Sequence, residues 1–184
     1  MPMLEQRIQQ QFFEGADLLS QAAEALSKSI ADAAQTLLGC ITAGGKVMLC
    51  GSGASAALAQ HGAALMVGRY ERERPPLAAL AVASESEIQA LGMPGDVLLA
   101  ISVGGPAPVP ALAAALQAAR SKDMTVVALT GRDAGSLVSA LGETDVHIAV
   151  PHDRAARIHE IHTVVLHCLC DAVDLQLLGE QEST

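Results

Sequence analysis

Four histidines stand where imidazole chemistry is feasible. His159, His162 and His167 share one stretch with Glu160, and His61 lies far upstream in an Ala-rich run. On a helix, His159 and His162 share a face, as residues three apart do. His159 and His167 are eight apart, near two turns, so they project roughly together. Imidazole beside a carboxylate suits metal ligation or acid/base work. The same residues also suit a subunit interface or a solvated face. Two glycine turns offer a different chemistry. Gly51-Ser52-Gly53-Ala54-Ser55 follows the apolar run 46–50, and Ser102-Val103-Gly104-Gly105-Pro106 follows the apolar run 96–101. Glycine permits a tight turn and close approach of a ligand to the backbone. A helix beginning after such a turn aims free N–H groups at it, and Ser52, Ser55 and Ser102 add hydroxyls, so phosphate is the natural guest. Neither turn is GxGxxG or a GK[ST] loop, which disfavours nucleotides. A third turn, TGRDAGS at 130–136, is of the same kind and reads equally well as structural or functional.

These groups need a scaffold. Apolar residues at three- and four-residue steps predict helix over 4–43, as two helices or one kinked helix, with Ser27 capping the second and Gly44-Gly45 ending it. Short apolar runs at 46–50, 77–83, 96–101, 125–129 and 145–150 predict five strands. Helical stretches follow the first glycine turn, span 110–122 and occupy 154–178. Buried strands alternating with helices mean a parallel sheet covered on both faces. The expected fold class is therefore α/β, a doubly wound five-stranded sheet in one domain, 1–184. Residues 1–43 form a helical arm and 44–184 the α/β core. If the first and third strands are neighbours where strand order reverses, both glycine turns open onto one crevice. Flat Ala-rich faces on the first and last helices predict a homo-oligomer, unless the arm folds back on its own sheet.

Composition narrows the function. The chain of 184 residues is 51% hydrophobic and 17% charged, which is core-forming and not disordered. Aromatic residues are 2%, too few for base-stacking platforms. A formal charge of −9 lacks the footprint of a direct nucleic-acid binder. No signal peptide or membrane-spanning stretch is read, so a cytoplasmic protein is expected. Cys168 and Cys170 are two apart and point to different helix faces, so they are read with Cys40 and Cys50 as reduced thiols.

GSGASAALAQHGAALMVGRYERERPPLAALAV, GMPGDVLLAIS, MTVVALTGRDAG and VPHDRAARIHEIHTVVLHCLCDAVD together resemble the sugar-isomerase (SIS) domain family. Within it the chain is similar to the phosphoheptose isomerases and to the DiaA-like proteins that associate with the replication initiator DnaA. The resemblance covers most of the chain. It implies a flavodoxin-like SIS fold, phosphosugar binding through Gly51, Ser52, Gly53, Ser55 and Ser102, and a homotetramer. In the isomerases the helix after the first turn carries a Glu that acts as catalytic base; Leu65 stands there. The family's catalytic His on the last helix matches His167. The isomerase metal set would read His61, Leu65, His159 and His167, so His61, His159 and His167 remain as candidate ligands for Zn²⁺ without the carboxylate.

The loop after the third strand departs too. The family carries STSGNS where SVGGPA stands, which keeps only Ser102, and Pro106 removes a backbone N–H. A family segment between the second and third strands is missing, so a more open pocket is expected. Leu65 and SVGGPA together point to a non-catalytic, DiaA-like regulator that binds DnaA, with Leu177 and Leu178 at the family's C-terminal contact and no cofactor needed. The alternative is a phosphoheptose isomerase acting on sedoheptulose 7-phosphate, working through the histidines.

Overall fold

The computed structural model describes residues 3–105 and 109–180; Pro106 lies outside them. Five parallel strands, β1 (Val47–Gly51), β2 (Ala79–Ala81), β3 (Val97–Ile101), β4 (Thr125–Thr130) and β5 (Val146–Ala149), run in the order β2-β1-β3-β4-β5. This is the flavodoxin-like order, and it makes β1 and β3 neighbours at the reversal point. Their registers pair Val47 with Val97 and Gly51 with Ile101, so both glycine turns leave the same sheet edge side by side.

Side chains alternate between two layers, as the pleat requires. Val47, Leu49, Val97, Leu99, Ile101, Val127 and Leu129 face one core, formed with α1 (Met3–Thr42), α2 (Ser55–Val67) and α6 (Ala155–Leu178). Met48, Leu98, Ala100, Val126 and Ala128 face a smaller core with α3 (Glu85–Leu91) and α4 (Pro110–Ser121). The short helix α5 (Ser136–Ser139) follows β4.

The N-terminal arm is one continuous helix. Ser27 does not cap a second one; its hydroxyl donates to the Ala23 carbonyl one turn back, within the helix. Leu18, Ala22, Leu26, Ala33, Leu37 and Cys40 pack this helix on the molecule's own core, while Met3, Leu4, Ile8, Phe12 and Phe13 at its start are exposed. The predicted second strand, 77–83, shortens to Ala79–Ala81 because the chain turns into α3. That helix was not expected. Ser84 and Glu87 close a capping box on it: the Ser84 hydroxyl accepts from the Glu87 N–H while the Glu87 carboxylate accepts from Ser84 N–H.

By length and composition α6 could cross a membrane, but it is the central helix of the larger core, burying Ile158, Ile161, Val165, Leu166, Leu169 and Val173. Arg74 ties it to α2. Its guanidinium pairs with Asp174 of α6, both side chains 1% exposed, and donates to the carbonyls of Leu65, Met66 and Gly68 at the end of α2. The unsatisfied carbonyls of a helix C-terminus are thereby capped by a cation.

Candidate functional site

The seam between α2 and α6 gathers the histidines in pairs. His61 of α2 and His167 of α6 approach to 3.2 Å between their Nε2 atoms, and the Tyr70 ring lies 5.2 Å from the His167 ring. Gly62, next to His61, makes this closeness feasible. A Cβ there would meet the Leu49 side chain at 2.7 Å and that of Leu166 at 3.2 Å, both fully buried. Ser55, at the first turn of α2, meets His159 near the start of α6, with Oγ and Nε2 3.0 Å apart. Burial pushes His159 below the ordinary imidazole range and so favours its neutral form.

His162 belongs to a different environment. It is fully buried, and its Nε2 lies 3.1 Å from the Thr130 carbonyl, which can only accept, so Nε2 carries the hydrogen. Its Nδ1 is buried without a partner among the described residues. Burial lowers its pKa to about 4 against the smaller upward effect of the Thr130 bond. His162 is thus a neutral core histidine that ends β4. Thr130 also bonds His147 through its hydroxyl.

The three histidines expected to hold Zn²⁺ do not assemble. His61 and His167 reach one another, but His159 is committed to Ser55. Among the described residues no group of three or more His, Cys, Asp or Glu side chains could hold a metal ion. A catalytic Zn²⁺ asks for three protein ligands and an open position. The donor set present among the described residues does not fit that demand.

The two glycine turns differ. In the first, Gly53 has φ +57°, and a Cβ at Gly51 would lie 2.5 Å from the Ser55 carbonyl oxygen. Among the described residues no acceptor takes the amides of Gly53 and Ala54, so the start of α2 keeps free donors. Ser52 is half-buried, whereas Ser55 is 1% exposed and turned to His159. In the second turn the two glycine amides are spent internally. Gly104 N–H donates to Ser102 Oγ at 3.1 Å, and Gly105 N–H donates to the Asp133 carbonyl at 2.7 Å. Arg132 of the third turn is likewise held, by Asp153 and the Pro151 carbonyl. Two recesses, one beside Ser52 and one beside Ser102, share Leu112 and offer about 30 Å³ each. Small-ligand sites usually exceed this about tenfold. Leu177 and Leu178 sit at the far end of α6 from His159, partly exposed.

Tyr70 and Gly62 were not singled out in the sequence. The only hint of the former is an aromatic in a chain with almost none; the latter is a helix-interior glycine without a turn to justify it.

Comparison with known proteins gives the arrangement a context. A family model described as the SIS domain matches residues 11–92. A phosphoheptose isomerase of Methylibium petroleiphilum is 58% identical over 202 aligned positions that cover 100% of both chains. That span exceeds the 184 residues of this chain, so at least 18 positions of it have no counterpart here. The structure of a phosphoheptose isomerase from Francisella tularensis superimposes with a TM-score of 0.87 at 33% identity, covering 95% of this chain and 99% of that one. Phosphoheptose isomerase GmhA from Neisseria gonorrhoeae gives 0.84 at 36% identity, with 94% and 99% covered.

These relatives overturn the reading of the chain as a non-catalytic, DiaA-like regulator of DnaA. That reading took Leu65 as the loss of the base. One turn before Leu65, however, His61 meets His167, and imidazole is the side chain most used for general acid/base catalysis. An absent carboxylate at one position does not leave the seam without a proton acceptor. The chain belongs to the SIS-domain family, in the group of the phosphoheptose isomerases.

Proposed function

We propose that this protein is a phosphosugar isomerase that interconverts a heptulose phosphate and the corresponding aldose, with sedoheptulose 7-phosphate as the ketose. The observation that carries the reading is the His61–His167 contact in a chain 58% identical to a phosphoheptose isomerase. Aldose–ketose exchange removes a proton from the carbon beside the carbonyl and delivers one to the carbonyl oxygen, giving an enediol that collapses the other way. A bond between two Nε2 atoms requires one bare nitrogen and one N–H. The pair therefore holds a base and an acid at once: His167 takes the carbon-bound proton and His61 supplies the oxygen-bound one. The free amides of Gly53 and Ala54, with the Ser52 hydroxyl, are the neutral donors that meet the phosphate.

The exposed Met3, Leu4, Ile8, Phe12 and Phe13 support burial of the first turns of α1 against further copies, consistent with a homotetramer. We place the enzyme in the cytoplasm as a soluble protein. The test is turnover of sedoheptulose 7-phosphate by the purified chain. His167→Ala should lower kcat about 10²- to 10⁴-fold. Absence of turnover in the unmodified protein, or turnover untouched by His167→Ala, rejects the reading.

A further inference from the structure

A single hydrogen bond does not hold an imidazole in one attitude. The torsion that turns a histidine ring about its Cβ–Cγ bond is broad and roughly two-fold. The His61 contact at 3.2 Å sets where Nε2 of His167 lies, yet the ring can still pivot about that line. A second contact, on the ring face, is needed to set its plane. Tyr70 makes that contact. Its ring lies 5.2 Å from the His167 ring with the planes 34° apart. Aromatic rings stack with an offset at centroid separations of about 4.5–7 Å. The His61 ring meets the same imidazole at 5.5 Å and 62°, edge to face. His167 is therefore met by two rings at different inclinations. The composition makes the placement specific. The chain has one Tyr and two Phe, and Phe12 and Phe13 are exposed at the start of α1.

We propose that Tyr70 is a positioning residue: its ring fixes the plane of His167 and so aims the nitrogen that exchanges the carbon-bound proton. Tyr70 is itself held for this. It follows the end of α2 and packs against the larger core. Further along the chain, Arg72 and Arg74 tie the same segment to α6, the helix that carries His167. Arg74 pairs with Asp174, and Arg72 Nη1 donates to the Gly179 carbonyl at 2.8 Å and to the Asp174 carbonyl at 3.4 Å. Tyr70 and His167 cannot drift apart without straining these bonds. Burial, with Glu71 and Asp171 nearby, pushes the phenol pKa up, so Tyr70 stays neutral wherever imidazole titrates. Misplacement of reacting groups by an ångström costs large factors in rate. This inference rests on the isomerase reading for its kinetic arm, but not for its spectroscopic arm.

The experiment compares Tyr70→Leu, Tyr70→Phe, His167→Ala and the double variant Tyr70→Leu/His167→Ala. Tyr70→Leu should lower kcat by about tenfold or more, with KM unchanged within about twofold. Tyr70→Phe keeps the ring and should restore most of that kcat. In the His167→Ala background Tyr70→Leu should cost nothing further, because it acts through that imidazole. In parallel, the ring-nitrogen resonances of His61 and His167 are recorded without substrate. Tyr70→Leu should draw them toward tautomer-averaged positions, and Tyr70→Phe should leave them in place. Equal losses in the Leu and Phe variants, an effect on KM in place of kcat, or a further loss in His167→Ala would each overturn the proposal. So would unmoved resonances in Tyr70→Leu. A fall in thermal midpoint with kcat intact would overturn it too, since Tyr70 would then serve packing alone. An unmodified protein without turnover would sink the isomerase reading alone, and the resonances would still decide whether Tyr70 holds His167.

Discussion

The sheet presents alternate residues of the same strands to two helical layers, and the layers differ in what they bury. The α3/α4 layer packs Met48, Ile88, Leu112, Leu116, Met124 and a set of alanines. The α1/α2/α6 layer is larger, and it also encloses Arg74, Arg157, Asp174, His162 and Ser55, with His61, His159 and His167 half-buried at its seam. Small apolar side chains let α4 lie close to Ala100 and Ala128 with nothing to satisfy. Buried polar groups instead demand partners, and each demand met fixes a helix in one place. The contrast teaches that the chemistry of this fold sits where packing alone would leave positions underdetermined.

The most severe way to break that contrast is to orphan one buried charge. Arg74→Leu leaves the Asp174 carboxylate buried without its cation and uncovers three carbonyls of α2. It should lower stability by about 3–5 kcal/mol, read by urea unfolding. The double variant Arg74→Leu/Asp174→Leu should recover a large part of this. If Arg74→Leu costs less than a surface pair would, the polar layer does not hold the helices as described.

Acid probes the same layer next. His162 stays neutral in the folded protein down to about pH 4. In the unfolded chain an imidazole takes up its proton near 6.5. Between those values the unfolded state binds more protons. Stability is therefore complete above about pH 6.5 and falls as pH drops toward 4, by on the order of 3 kcal/mol. His147 and His159, lowered by burial, act in the same direction. His162→Asn should flatten this slope in urea midpoints taken across the window, and an unchanged slope would remove His162 from the account.

On the other layer, Ser84→Ala opens the capping box of α3. It should cost only about 1 kcal/mol, with kcat intact, which sharpens the distinction between packing and chemistry. A large loss of turnover in Ser84→Ala would mean that the α3 side also serves the reaction.

The strands and their order were legible because short apolar runs separated by helix-length segments admit few arrangements. The adjacency of β1 and β3 followed from the doubly wound pattern. Helix α3 escaped notice although Ser84 and Glu87 carry the capping-box spacing, because a seven-residue helix has little periodicity to register. The histidines were visible as residues but not as pairs. Spacing alone grouped His159 with His162 and with His167, whereas the fold sends His159 to Ser55, His162 to Thr130 and His167 to His61. Nothing in a linear pattern says which face of α6 meets α2. The weight placed on Leu65 was the costliest misreading, since a substitution at one site was judged without knowing that two imidazoles meet one turn away.

The guanidinium of Arg74 has a consequence for motion. Helix ends usually fray, opening and closing far more often than the molecule unfolds. Here the last carbonyls of α2 are held by a group that is itself locked to the interior of α6. The final turn of α2 therefore has no cheap way to open. Its amides should exchange with solvent deuterium only as fast as the whole domain comes apart, while the exposed first turns of α1 exchange freely.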